Sequence, residues 1–188
     1  GKPLPYLDKV LIKFIIEPSS LVAAVQTGEV DGINNAIPQF VALLRKNPNL
    51  NVYTLVGGNW RNVAFNCAKE PFNDINLRKA VTYGINREEI LKQVQFGEGV
   101  IAYGPISPPM TGFYDPEFGK KKEGQYYDFE LAQSYLKKSR YANGTEVLLL
   151  SPNSGYAPRQ AEVLQAQLAK VGIVAKIQPE PVGHPVEC

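Results

Sequence analysis

The spacing of apolar and polar positions changes period repeatedly along the chain, and each change predicts an element. Residues 10–16, VLIKFII, are apolar and β-branched around one lysine, the lettering of a strand. Leu21, Ala24 and Val25 recur at helical spacing behind Ser19 and Ser20, either of which can cap the start; Gly28 closes the run. Residues 29–33, EVDGI, predict a short strand. Pro38 opens a second helix with Phe40, Leu43 and Leu44 inward, and Pro48 stops it. Residues 50–56 return to a strand pattern. After the loop GGNWRN (57–62), residues 62–67 alternate with a period of two, and Val63, Phe65 and Cys67 share one face, which predicts core packing.

The stretch EPFNDINLRKAVTYGINREEI (70–90) is dense in local folding signals. Asp74 or Asn73 can cap a helix whose stripe is Leu77, Ala80 and Val81. Gly84 suits the left-handed position after the last turn. Asn86 and Glu89 then read as a capping box, with Ile85 and Ile90 as its hydrophobic staple. From 97 to 125 the chain is Pro/Gly-rich and ends in a lysine run at 120–122, which predicts an ordered but irregular loop; loops of that length are often functional. Asp128 caps a helix carrying Leu131, Tyr135 and Leu136. NGTEVLLLS (143–151) reads as a turn and a buried strand. Residues 157–171 form a long helix with Ala161, Leu164, Leu168 and Val171 inward, closed by Gly172, and Ile173, Ala175 and Ile177 alternate as a last strand. Interleaved strands and helices predict an α/β fold with a mixed sheet flanked by helices.

The 188 residues suffice for a domain with a core of its own. At 44% hydrophobic and 20% charged the chain is globular in composition, which argues against disorder. A net charge of +2 is too small to argue for nucleic acid or an anionic membrane as a partner. No apolar run has transmembrane length. The opening GKPLPYLDK and the Pro-rich ending PEPVGHPVEC suggest a piece of a longer chain.

Chemistry is sparse. The sequence holds no CxxC, HExxH, EF-hand loop, P-loop, G-x-G-x-x-G after a strand, or G-x-S-x-G elbow, so no metal or cofactor is implied. A thiol enzyme or redox protein pairing Cys67 with the single histidine, His184, stays open on paper. Two loops offer binding chemistry instead. In GGNWRN, glycines let backbone approach a ligand, Trp60 brings a flat face, Arg61 a planar fork for carboxylates, and Asn59 and Asn62 donors and acceptors. The alternative is that Trp60 packs on the core and Arg61 is solvated. In SPNSGY (151–156), between a strand and a helix start, Ser151, Asn153 and Tyr156 lie where open α/β sheets bind ligands. The alternative there is a capping turn.

Together these stretches resemble the bacterial extracellular solute-binding proteins, family 5, the oligopeptide- and dipeptide-binding proteins of ABC importers. PFNDINLRKAVTYGINREEI is similar to the family's P-F-x-D-x-x-V-R-x-A segment. LPYLDKVLIKFI, SLVAAVQTGEVDG, VAFNCAKEPF, GPISP, YYDFELAQSYL and QAEVLQAQLAKVGIVAKI match further family segments, in the family's order and over almost the whole chain.

The resemblance implies one lobe of a two-lobed, type II-like periplasmic binding protein that closes on its ligand. Residues 1–178 would be part of the second lobe and 179–188 a Pro-rich tail. Implied partners are a peptide or other small solute, an ABC permease and the first lobe, with no nucleic acid. The implied location is periplasmic or extracellular, with a lipid anchor in the full-length protein as a further option. The family's downstream G-W-x-x-D segment is not in this sequence. Dipeptide binders carry an arginine and a tyrosine at the positions matching Ser151 and Asn153. The departure here leaves an oligopeptide, an oligosaccharide or a metal chelate open as ligand. An interaction domain with no small ligand is the remaining alternative.

Overall fold

The structure is a computed structural model that describes residues 4, 6–59, 61–117 and 126–181. Its residues group into two compact units, 1–53 and 54–188.

The first unit is built on helices α1 (Pro18–Thr27) and α2 (Pro38–Arg45). Proline at the first helical position starts both, since its missing N–H would have no helical partner there. Glu17 caps α1, rather than Ser19 or Ser20: its carboxylate accepts from the Ser20 N–H at 2.6 Å and from the Ser19 hydroxyl. Those bonds, the Ser19 hydroxyl's first, draw its pKa from 4.5 down to about 2. Val22, Val25 and Leu44 bury together, with Val30, Ile33, Phe40 and Val52 packed around them. The inward face of α2 is Val41 and Leu44, so Leu43 turns outward.

The second unit holds α3 (Ile75–Gly84), α4 (Arg87–Gln93), α5 (Phe129–Lys138), β1 (Thr145–Pro152), α6 (Ala157–Val171) and β2 (Ile173–Glu180). β1 and β2 pair in parallel, Thr145 opposite Ile173 through Pro152 opposite Glu180, with α6 as the crossover. Their buried faces meet α3, α5 and α6 in one core that includes Leu77, Val81, Leu136, Val147, Leu164, Leu168, Val171 and Ile173. Gly172 ends α6 at φ 105, and Gly144 enters β1 at φ 92. A Cβ on Gly144 would also stand 2.8 Å from the Gly172 carbonyl oxygen, so both conformation and space require glycine there.

Cap bonds tie the helices to one another. Asp74 Oδ1 accepts from the Asn76 and Leu77 N–H groups at 2.8 and 3.4 Å, which starts α3. Its Oδ2 accepts the Arg140 N–H at 2.8 Å, just beyond α5. Asn86 caps α4 through the Glu89 N–H at 3.1 Å. The other half of the expected capping box is taken over by Gln167 of α6. Its Oε1 accepts the Asn86 N–H at 3.0 Å, and its Nε2 donates to the Asn86 carbonyl at 3.2 Å and to Glu89 Oε2 at 2.9 Å.

Several expectations are corrected. The sheet is parallel and two-stranded, where a mixed sheet is predicted, and segments 10–16, 29–33, 50–56 and 62–67 form no strand among the described residues. A strand requires a ladder partner, and most apolar side chains of 10–16 stay exposed, Phe14 at 92% and Ile16 at 96%, with Ile15 half-buried. β1 is covered on one face only, with Leu148 and Leu150 outward. Gly84 is not a left-handed cap. It is the buried last residue of α3, where a Cβ would meet Val171 Cγ2 at 2.7 Å. β2 reaches Glu180, past the predicted start of the tail at 179.

Candidate functional site

Within the second unit, a cavity of about 430 Å³ opens beside the core, within the range of small-molecule sites, roughly 300–1,000 Å³. Three stretches build its wall. The first is the segment 55–65, including Asn59, Arg61 and Asn62. The second is the α3–α4 corner, with Thr82, Ile85, Arg87 and Ile90. The third is the irregular segment from Glu98 to Pro108; Gln160 and Leu164 of α6 close one side. The lining is mostly apolar, and its charged groups are Arg61, Arg87 and Glu98.

The irregular segment is held in place by specific bonds. Ser107 is buried, and its hydroxyl donates to the Gly57 carbonyl at 3.3 Å, which fixes the 98–108 stretch against the glycine loop. Gly97 N–H donates to the Leu91 carbonyl at 3.0 Å as the chain leaves α4. Arg87 donates to the carbonyls of Thr82 and Ile85 at 3.4 and 3.3 Å, bracing the end of α3. Burial pushes its pKa down, and Tyr103 of the irregular segment pushes it up.

The two binding loops read from the sequence meet at one contact. The Arg61 guanidinium lies over the Tyr156 ring, 4.0 Å from its centroid. Burial lowers the Arg61 pKa from its ordinary value; an arginine still remains protonated at any physiological pH. Among the described residues no carboxylate forms an ion pair with it.

The remaining predicted residues separate. Asn59 and Asn62 line the cavity, whereas Trp60 lies outside the described residues. Ser151 is buried, its hydroxyl 3.3 Å from the Ala157 carbonyl and 3.4 Å from that of Pro152, so it pins the β1–α6 turn and is not among the cavity lining. Asn153 is exposed, and its N–H donates to the Glu180 carbonyl at 3.0 Å, extending the β1–β2 contact. Tyr156 stands at the start of α6 and supports Arg61. Arg159 lies over the Phe96 ring at 5.3 Å.

Sequence reasoning missed Gln167, Arg87 and Ser107. Gln167 alone left a signal, as a polar residue inside the inward stripe of α6. Cys67 is exposed, contrary to the alternation that placed it with Val63 and Phe65, because the chain enters a turn there; its thiol is 3.5 Å from the Phe65 carbonyl. His184 and Cys188 lie outside the described residues. Among the described residues no cluster of His, Cys, Asp or Glu is gathered to hold a metal ion, and no helix is long and apolar enough to cross a membrane.

Comparison with known proteins places this architecture. The dipeptide-binding protein of Escherichia coli (strain K12) is 30% identical over 178 residues, 92% of this chain and 32% of the relative. The di/tripeptide-binding protein 1 of Pseudomonas aeruginosa (strain UCBPP-PA14) is 31% identical over 176 residues, 91% of this chain and 32% of the relative. The chain thus spans about a third of the length of these relatives. Among solved structures, the ABC transporter-associated periplasmic binding protein DppA from Helicobacter pylori, in complex with the peptide STSA, superposes with a TM-score of 0.81 at 30% identity. That match covers 97% of this chain and 34% of the other. The family description "Bacterial extracellular solute-binding proteins, family 5 Middle" matches residues 1–184, and the chain belongs to that family.

Proposed function

We propose that this chain forms part of the substrate-binding component of an ABC importer, which captures a peptide-class solute by closure of two lobes and delivers it to a permease. The observation that carries this reading is the family match over residues 1–184. The named peptide binders among its relatives favour a peptide over an oligosaccharide or a metal chelate. The second unit, with its cavity, contributes part of the second lobe, and residues 1–53 form a unit of their own beside that lobe in sequence. The working location is periplasmic or extracellular, and the chain acts by binding, without a covalent step.

The cavity fits this role through its lining: apolar walls suit side chains, and Asn59, Asn62 and Arg61 offer polar edges that orient a ligand. Ser151 serves the fold of the turn, while Tyr156 serves the site through Arg61. The test is calorimetric titration of the protein, purified as its native gene encodes it, with di- to pentapeptides, alongside an oligosaccharide and a metal chelate. Saturable binding of peptides alone is the expected result. Binding confined to the sugar or the chelate would replace the peptide reading, and rapid selective alkylation of Cys67 coupled to turnover would revive the thiol enzyme. The 188-residue chain alone should bind peptides far more weakly, because closure requires an opposing lobe.

A further inference from the structure

Asn143 sits in the turn between α5 and β1, and it is the one asparagine of the sequence that glycine follows. It is exposed, and its side-chain amide has no hydrogen-bond partner among the described residues. Five other asparagines have theirs engaged. The side-chain oxygens of Asn47, Asn66, Asn73 and Asn86 accept hydrogen bonds, and Asn76 Nδ2 donates to the Lys138 carbonyl. The residue after each of these carries a side chain that crowds the approach of its own backbone nitrogen to the asparagine. Gly144 has no Cβ and leaves that approach clear.

Asparagine is thermolabile where the next backbone nitrogen can reach its side chain. Here the Gly144 nitrogen would attack Asn143 Cγ. The new N–Cγ bond closes a five-membered imide, the Cγ–Nδ2 bond breaks, and the Gly144 proton leaves with Nδ2 as ammonia. Water then opens the ring on either side. Cleavage of the new N–Cγ bond gives aspartate, and cleavage of the original peptide bond gives isoaspartate. In the folded turn the nucleophile is tied: the Gly144 N–H donates to the Tyr141 carbonyl at 2.9 Å, and Gly144 is held at φ 92. Attack therefore waits for the turn to open.

We propose that Asn143 is a deamidation site of this protein, paced by opening of the Tyr141–Gly144 turn. The two products act differently on the fold. Aspartate leaves the main chain as it was and sets a carboxylate in the surface hollow that Asn143 shares with Lys137. Isoaspartate adds a methylene to the main chain just ahead of Gly144. That residue's close approach to the Gly172 carbonyl leads directly into the Thr145–Ile173 pair of the sheet. Isoaspartate should loosen the entry to β1, and aspartate should not.

The test ages the protein, as its native gene encodes it, in mild alkali and maps its peptides by mass spectrometry at intervals. Labelling with an isoaspartyl methyltransferase separates the two products. Exchange of amide for acid is expected first at Asn143, ahead of Asn153, whose neighbour is Ser154. Urea that unfolds the protein should speed the exchange about 2- to 10-fold, the worth of one turn hydrogen bond. Asn143→Gln should stay an amide, because its closure needs a larger ring, and an unchanged melting temperature establishes that it folds. Asn143→Asp should melt with the wild type, while the isoaspartate fraction of aged protein melts lower. An Asn143 that converts no faster than the other asparagines would overturn the site. Equal rates in folded and unfolded protein would overturn the gate, and an isoaspartate fraction that melts with the wild type would overturn the link to β1.

Discussion

Residues 173–177 and residues 10–16 carry the same apolar, β-branched lettering, yet only the first segment becomes a strand. Ile173 is fully buried, whereas Ile16 is 96% exposed. The difference lies in what each segment meets. β2 finds β1 in register, delivered by the α6 crossover, and both strands share a core with α3 and α5. Residues 10–16 find no ladder partner among the described residues. An apolar pattern thus selects the residues that want burial, but a strand exists only where the chain supplies a neighbour.

The comparison breaks most readily at the centre of the paired region. Leu77 is fully buried between the helices and the sheet. Leu77→Ala should cost roughly 3–5 kcal/mol, measured by urea unfolding, because its neighbours are held by several elements and cannot collapse into the void. A loss near 1 kcal/mol would mean that this core is loosely packed.

Asp74 tests how the paired region is tied together. Asp74→Ala removes the α3 cap and the acceptor of the Arg140 N–H, for an expected loss of about 1–3 kcal/mol. The Asp74 pKa is lowered chiefly by that Arg140 backbone N–H, with the Asn76 and Leu77 N–H groups and the Arg140 charge adding to it; burial opposes them. A lowered folded-state value fixes the sign. The contribution of Asp74 is complete above its unfolded pKa of about 3.9 and is lost as pH falls through the lower folded value. The stability difference between wild type and Asp74→Asn should therefore shrink as pH drops below about 4. A difference that instead grew in acid would reverse the assigned role.

Gly84 probes contact between helices. Gly84→Ala puts a methyl against Val171 Cγ2, at 2.7 Å before any relaxation. Overpacking of this kind costs about 1–3 kcal/mol, and better helix propensity returns up to about 1 kcal/mol. A net loss of about 1–2 kcal/mol in thermal unfolding is expected, and a stabilised variant would show that α3 and α6 can move apart freely.

Legibility in the sequence followed the same divide. Asp74, Asn86 and Asp128 were readable as caps because a cap acts within three residues, and the stripes of α3 and α6 because helical burial repeats locally. Gln167 reaches 81 residues back to Asn86, and nothing near either residue announces that bond. Glu17 displaced the expected serine caps because Pro18, at the first turn, sets the helix start one residue before Ser19. At the site, Asn59, Arg61 and Asn62 were readable as polar groups beside glycines. The meeting of Arg61 with Tyr156, 95 positions apart, is a property of the fold. Ser151 misled because a loop hydroxyl serves a turn as readily as a ligand.

The smallest effect is expected in the unpaired region, where it sharpens the contrast. Phe14 is 92% exposed, so Phe14→Ser removes almost no buried area and should change the stability of the 188-residue chain by less than about 0.5 kcal/mol. The same substitution should raise solubility, because Leu11, Ile12, Phe14 and Ile16 are all exposed and together form an apolar run that favours association. Urea unfolding paired with light scattering reads both quantities on one sample. Stability lost without a change in scattering would place Phe14 against a core within the chain. Unchanged stability with reduced scattering would establish that this segment, unlike β2, has strand lettering without a partner. Its sequence would then be written for a neighbour beyond the residues that pair here.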